Sequence, residues 1–241
     1  MNVDLSHGRS SQEANAGPRA SAQRESAMAR IRVESFTISL DGYGAGPDQD
    51  LEHPLGVGGE KLHDWLVSTR RWLKLHGKAG GDAGIDDTFA MRSHHNVGAW
   101  IMGRNMFGPV RGPWPDAEWR GWWGDDPPFD GPVFVLTHHA RPSLRMDGGT
   151  VFHFVTGGIH EALEQARQAA GEKDVQISGG AATIRQYLRA GVIDELHIAI
   201  SPILLGSGER LFEDLERLPA GYHCVQFAPS EKAAHMVLRR M

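Results

Sequence analysis

The 241-residue chain has a single cysteine, Cys224, and only three tyrosines. One thiol excludes an intramolecular disulfide framework and any Cys-x-x-Cys metal or redox pair, a usage that fits a reducing, cytoplasmic setting. Excess positive charge is also missing: 25 Lys and Arg stand against 30 Asp and Glu, a net charge of −5. The chain therefore lacks the basic footprint of a nucleic-acid partner. No apolar run approaches the roughly 20 residues of a membrane-spanning helix. Absent too are GxGxxG, a Walker-type GxxxxGK, HExxH and GxSxG, which removes support for a standard dinucleotide fingerprint, a phosphate loop, a zinc-protease helix or a serine elbow. The 13 histidines are not joined by acidic residues at ligand spacing, so no metal is expected.

Residues 1–29, rich in Ser, Ala, Gly, Gln and Arg, offer little to bury and no apolar core for a secretory signal; they read as a flexible tail. Met28, just before the first β-type run, is a candidate start of the folded chain. From residue 30 to 241 no linker-like break appears, and a single domain is expected. Ile31 to Ser39 reads as a strand ending in the glycine-rich "SLDGYGAG". Leu62, Trp65, Leu66, Thr69 and Leu73 recur at helical spacing and predict one amphipathic helix. A short helix is expected around "DTFAMRSHH". Strands follow at "VGAWIM", "VFVLTHH", "VFHFV", "DVQIS" and "ELHIAIS", with helices at 159–170 and over "AATIRQYLRAG". The C-terminal "YHCVQFAP" and "AAHMVLRR" read as a closing strand pair. Strands alternating with helices predict an α/β fold, a mostly parallel mixed sheet with flanking helices and an antiparallel C-terminal edge.

In such a sheet ligands lie beyond the C-terminal strand ends, where helix N-termini present unpaired N–H groups. Four turns qualify by position: "MGRNMF", "LTHHAR", "TGGI" and "SGGAAT". For each double-glycine turn the plain reading is a tight connection needing positive φ. Arg104 follows a strand and a glycine, where a cation can face a phosphate. His138, His139 and Arg141 can meet a second one. Asp41 ends a strand ahead of a glycine turn and is a candidate for positioning substrate or relaying a proton, or simply an Asx-turn residue. Glu60 and Asp64, at i, i+4, are candidates to bind a basic or ring-nitrogen group of a substrate, or ordinary N-terminal helix charge. The segment from Gly103 to Pro132 carries Trp114, Trp119, Trp122 and Trp123, which suit either a wall for a planar ligand or plain packing.

"SLDGYGAG", "IMGRNMF", "VFVLTHH" and "ISGGAATIRQYLRAGVIDELHIAISPILLGSGERLF", in this order, resemble the dihydrofolate reductase-like family, in the branch of the riboflavin-biosynthesis reductase C-terminal domain. The resemblance covers about residues 30 to 241, and its last string is the specific part. It implies NADPH-dependent hydride transfer to a small heterocycle of pteridine or aminopyrimidine type, by a stand-alone homodimer. By the same resemblance Gly103, Arg104 and Asn105 match the turn on the pyrophosphate and adenosine-phosphate side. Thr137 and His138 match the strand-end pair lining the adenosine ribose and its 2′-phosphate. Gly179, Gly180, Ala181 and Ala182 match the double-glycine turn and helix start that contact the dinucleotide. Two departures leave NADPH against NADH open: Met106 replaces the family's Thr after the Arg, and His138 replaces a basic residue. Glu60 or Asp64 matches the substrate carboxylate of the folate-type enzymes only loosely. The H-x-E and P-C-x-x-C signature of a zinc deaminase half is absent. A dinucleotide-binding protein without turnover, and a flavin in the same cleft, stay open as alternatives.

Overall fold

Within the first strand, β1 (Ile31–Ser39), Ile31 and Val33 face one side of the sheet, and Phe36 and Ile38 then face that same side. Strict alternation would send one pair to the opposite face, so the strand takes an extra residue at Ser35, where φ is +57° and the register against its neighbour shifts. The computed structural model that shows this describes residues 29–108, 111–115, 118–215 and 221–241. The expected tail lies outside the described residues, except for residue 29.

After β1 come β2 (Tyr43–Ala45), a 3-10 turn (Gly59–His63), α1 (Asp64–Val67), α2 (Arg70–Leu75) and α3 (Ile85–Arg92). The middle of the chain holds β3 (Val97–Gly103), α4 (Arg104–Phe107), β4 (Pro132–Leu136), β5 (Leu144–Arg145), β6 (Val151–Val155), α5 (Gly158–Ala170), β7 (Asp174–Gly179) and α6 (Ala181–Arg189). It closes with β8 (Glu195–Ser201), β9 (Glu209–Arg210), β10 (Tyr222–Pro229) and β11 (Ala234–Arg240). The main sheet runs β10-β11-β8-β1-β7-β3-β4-β6-β5. Its six inner strands from β8 to β6 are parallel, β11 and β10 form the antiparallel C-terminal edge, and β5 adds an antiparallel strand at the other end. The α/β class, the parallel centre and the antiparallel edge are those expected.

One face is covered by α5 and α6, whose Ala162, Leu163, Ala166, Ile184, Tyr187 and Leu188 pack on Val33, Ile101 and Ile177. Burial of each large aliphatic side chain there is worth about 1.5–3 kcal/mol. On the other face Trp65 and Phe89 pack on Ala199 and Val237. Along the same face Trp114, Trp119 and Trp123 lie against a core of Trp100, Met102, Val133, Val135 and Phe152.

Three expectations need correction. The single helix over 62–73 is instead a 3-10 turn followed by α1 and α2, broken at Thr69. There the Thr69 side chain accepts from Trp72 N–H at 3.1 Å and caps a new helix. Glu60 thus sits in a 3-10 turn and Asp64 at the head of α1, so i, i+4 does not place them on one α-helical face. "VFVLTHH" leaves the sheet after Leu136.

Candidate active site

Three of the turns singled out in the sequence leave adjacent strands. β3 lies between β7 and β4, with Met102 beside Gly179 and Gly103 beside Leu136. Turns 103–105, 137–138 and 179–182 therefore open onto one edge of the sheet. Among them Gly103 and α6 approach so closely that a β-carbon on Gly103 would overlap the Thr183 hydroxyl. Gly179 has φ +144°, a region that favours glycine, and the Gly179–Gly180 peptide is cis. At Gly180, before the first turn of α6, a β-carbon would meet nothing within 4 Å. That opening lies at a helix N-terminus whose first N–H groups have no partner within the helix.

The other double-glycine turn differs. At the head of α5 the Glu161 carboxylate occupies the space a side chain at Gly157 would take. A carboxylate in the first turn of α5 thus fills the space over "TGGI" and puts negative charge at this helix N-terminus, unlike the open space at Gly180.

Arg104, the first residue of α4, stacks on Trp114 with its guanidinium carbon 3.6 Å from the ring centre. Its Nη1 donates to the Gly112 carbonyl. Its Nε and Nη2 are shut off from solvent and have no hydrogen-bond partner. Burial first, and then the charge of Arg141, lower the Arg104 pKa. Arg141 itself stands 5.1 Å from the Trp114 ring. Two guanidinium groups thus flank one indole, and the unpartnered nitrogens of Arg104 are enclosed by the protein in this conformation.

The remaining candidates are placed as follows. Asn105 is half-buried in α4. Thr137 is buried, and its hydroxyl accepts the His139 N–H at 3.1 Å, which folds the post-β4 turn on itself. His138 is exposed, while the His139 carbonyl receives the Trp114 indole N–H at 2.8 Å. Ala181 is buried in α6 beside the exposed Ala182. Glu60 and Asp64 are both exposed.

Asp41 has a definite structural task. It accepts from the Ser39 hydroxyl at 2.5 Å, from Leu205 N–H at 3.1 Å and from Gly206 N–H at 2.7 Å. The Ser39 bond foremost, together with those amides and against the opposing effect of burial, lowers its pKa to about 2. A carboxylate so held keeps the "PILLGSG" loop against the β1–β2 turn and carries no proton near neutral pH. Sequence reasoning did not find the Arg104–Trp114 stack or the Gly103–Thr183 contact, because residue spacing carries no signal for either.

The sequence model of the RibD C-terminal domain matches residues 33–232. The chain belongs to the RibD C-terminal domain family. A curated relative of this RibD-type domain, the uncharacterized protein YyaP of Bacillus subtilis (strain 168), is 27% identical over 99 residues, which are 39% of this chain and 51% of that protein. The alignment thus spans about half the length of that relative. Among solved structures, a protein from Shewanella sp. PV-4 assigned to riboflavin biosynthesis superposes with a TM-score of 0.56 at 24% identity, over 89% of this chain and 99% of the other. The diaminohydroxyphosphoribosylaminopyrimidine deaminase/5-amino-6-(5-phosphoribosylamino)uracil reductase of Thermotoga maritima superposes with a TM-score of 0.50 at 14% identity, over 89% of this chain and 57% of that one. At these identities the likeness is one of fold, the mostly parallel α/β sheet with flanking helices and an antiparallel C-terminal edge expected from the sequence.

Proposed function

We propose that this RibD-type domain is a reductase that uses NADPH to reduce a small heterocycle of pteridine or aminopyrimidine type. The observation that carries the reading is the pairing, on neighbouring strands, of an open helix N-terminus at Gly180 with the unspent donors of Arg104. A dinucleotide diphosphate fits the first, since backbone N–H groups and the helix dipole favour an anion there. A further phosphate is taken by the second when Arg104 swings its enclosed Nε and Nη2 out to solvent, which favours NADPH over NADH despite Met106 and His138. The name of the Thermotoga maritima neighbour, which includes a reductase, supports hydride chemistry.

When bound, the nicotinamide supplies the hydride, and the protein contributes binding, orientation and exclusion of water. In this reading Gly103, Gly179 and Gly180 allow close backbone approach, Arg104 and Arg141 neutralise phosphate charge, and Trp114 holds the Arg104 plane. Asp41 orders the loop beside the cleft and transfers no proton. Among the described residues no helix is long and apolar enough to cross a membrane, and the reading places the protein in the cytoplasm. It also makes the protein a homodimer, supported by the edge strand β10, where Val225 and Phe227 are exposed.

The test is a titration of the full chain with NADPH and NADH, followed by oxidation of the bound reductant in a panel of dihydropteridines, aminopyrimidine ribose phosphates, imides and enones. Binding with turnover of at least one class is expected. Failure to bind either dinucleotide overturns the reading, and binding without turnover of any class leaves a dinucleotide-binding protein.

A further inference from the structure

The bulge in β1 has a partner on β8. Val33 is in register with Leu196 and Phe36 with Ile198, so two residues, Glu34 and Ser35, oppose the single residue His197. The Ser35 amide, turned inward by its φ of +57°, donates to His197 Nδ1 at 3.0 Å. His197 Nε2 lies 3.1 Å from His235 Nδ1, and His235 Nε2 lies 2.8 Å from Asp86 Oδ1. Both rings are fully buried, stacked on Phe89 at 4.4 and 4.2 Å, with Trp65 edge-on to His235.

The order of protons along this row is determined by its ends. A backbone amide can only donate, so His197 Nδ1 is bare and its proton sits on Nε2. That proton goes to His235 Nδ1, and the His235 proton, on Nε2, goes to Asp86. The row thus runs from β1 through β8 and β11 to α3, with each imidazole locked in one tautomer and one orientation. Glu34 Oε2 stands 3.5 Å from Nδ1, farther than the Ser35 amide nitrogen at 3.0 Å, which takes the Nδ1 lone pair.

The bulge matters to the cleft through the next residue. The Phe36 ring lies under the turn after β7: a β-carbon at Gly179 would sit 3.4 Å from its Cε2, and one at Gly44, in β2, would sit 2.6 Å from its Cζ. The Phe36 ring is therefore wedged between the double-glycine turn and the β2 strand. Without the bulge Phe36 would point to the opposite face.

We infer that His197 is a positioning residue for the cleft: by accepting the Ser35 amide it holds the β1 bulge, and the bulge sets Phe36 beneath Gly179. This rests on the reading of that cleft as a dinucleotide site, and the test separates the two. An Asn at 197 keeps an acceptor near the Nδ1 position and loses the link to His235, whereas a Gln keeps a group near Nε2 and loses the acceptor. His197→Asn is expected to hold NADPH affinity within about twofold of wild type and to leave the Gly179 and Gly180 amide NMR shifts in place. His197→Gln, which strands a buried amide, is expected to weaken NADPH about tenfold and to move both shifts. Equal weakening in the two variants, or no change in either, overturns the inference. If wild type binds no dinucleotide, the function proposal fails and the amide shifts alone decide the role of His197. If His197→Gln does not fold, imidazole nitrogen NMR of the wild-type protein decides instead: the Nε2–H tautomer at His197 is expected, and a protonated Nδ1 overturns the inference.

Discussion

The guanidinium carbon of Arg104 lies over the indole of Trp114, 3.6 Å from its centre. The stack holds Arg104 in one plane while two of its nitrogens remain without partners. Planarity is what a lysine cannot supply. Arg104→Lys is therefore expected to lose most of the affinity lost by Arg104→Ala, and each is expected to weaken NADPH by about 10- to 100-fold, the range for a charge-assisted hydrogen-bonded pair. NADH, lacking the extra phosphate, is expected to be weakened less. Isothermal titration of the two dinucleotides against the three proteins checks this. An equal loss for NADPH and NADH would place Arg104 away from the distinguishing phosphate.

The glycines at the strand ends separate packing from binding. Gly180 has φ −76°, which any residue adopts, and open space where a side chain would start. Gly180→Val is expected to fold with a melting temperature close to wild type and to lose dinucleotide binding, because its methyl groups fill the opening. Gly103 also has an ordinary φ of −76°, but its β-carbon would overlap Thr183. Gly103→Ala is expected to cost about 1–3 kcal/mol in unfolding free energy, as overpacking does. Thr183→Ala in the same chain is expected to recover most of that loss. Urea unfolding of the single and double variants decides it; a double variant no more stable than Gly103→Ala would place the strain elsewhere.

The strand-end turns were legible because each follows a β-type run, those at Gly103 and Gly180 also opening a helix, and the resemblance ordered them. Legibility stopped at contacts between residues far apart in sequence. "IRVESFTIS" reads only as a strand, and nothing local names the partner of its bulge, His197, 162 positions away. The helix over 62–73 fails for the opposite reason. Its apolar stripe is correct, since Leu62 and Trp65 are fully buried, but Thr69 carries a capping hydroxyl that stripe counting ignores. Asp41 was chosen as a strand-end acid, and its three donors come from Ser39 nearby and from a loop more than 160 residues away.

Those donors bear directly on the role of Asp41. With a pKa of about 2, it contributes no limb to an activity profile between pH 5 and 8. Asp41→Asn removes the charge and replaces one acceptor oxygen with an amide that cannot accept from Gly206 or Leu205. Faster amide exchange at 205 and 206 is expected, with the shape of the pH–rate profile unchanged. An acid or base limb that vanishes in Asp41→Asn would restore Asp41 as a proton carrier. The folded-state pKa is depressed, so the stability Asp41 contributes is present above its unfolded value and is lost as pH falls through the folded one.

Several buried histidines give the fold a second pH dependence, at milder acidity. Burial lowers the pKa of His197 and His235, and it lowers that of His63 to about 4, against a smaller opposing effect of Asp64. Around the His197–His235 pair stand Glu34 and Arg32 on β1, Glu195 on β8, and Asp86, Asp87 and Arg92 on α3. Each folded pKa lies below the unfolded value of about 6.5, so the unfolded chain takes up protons first as pH drops. Stability is therefore complete above about pH 6.5 and declines toward the folded values. From His63 alone, the loss between pH 7 and pH 5 is about 2 kcal/mol. Urea midpoints over that interval check it, above the range in which ordinary carboxylates titrate. His63→Leu is expected to flatten the slope, since no imidazole remains to protonate, and an unchanged slope in that variant would assign the loss to the His197–His235 row.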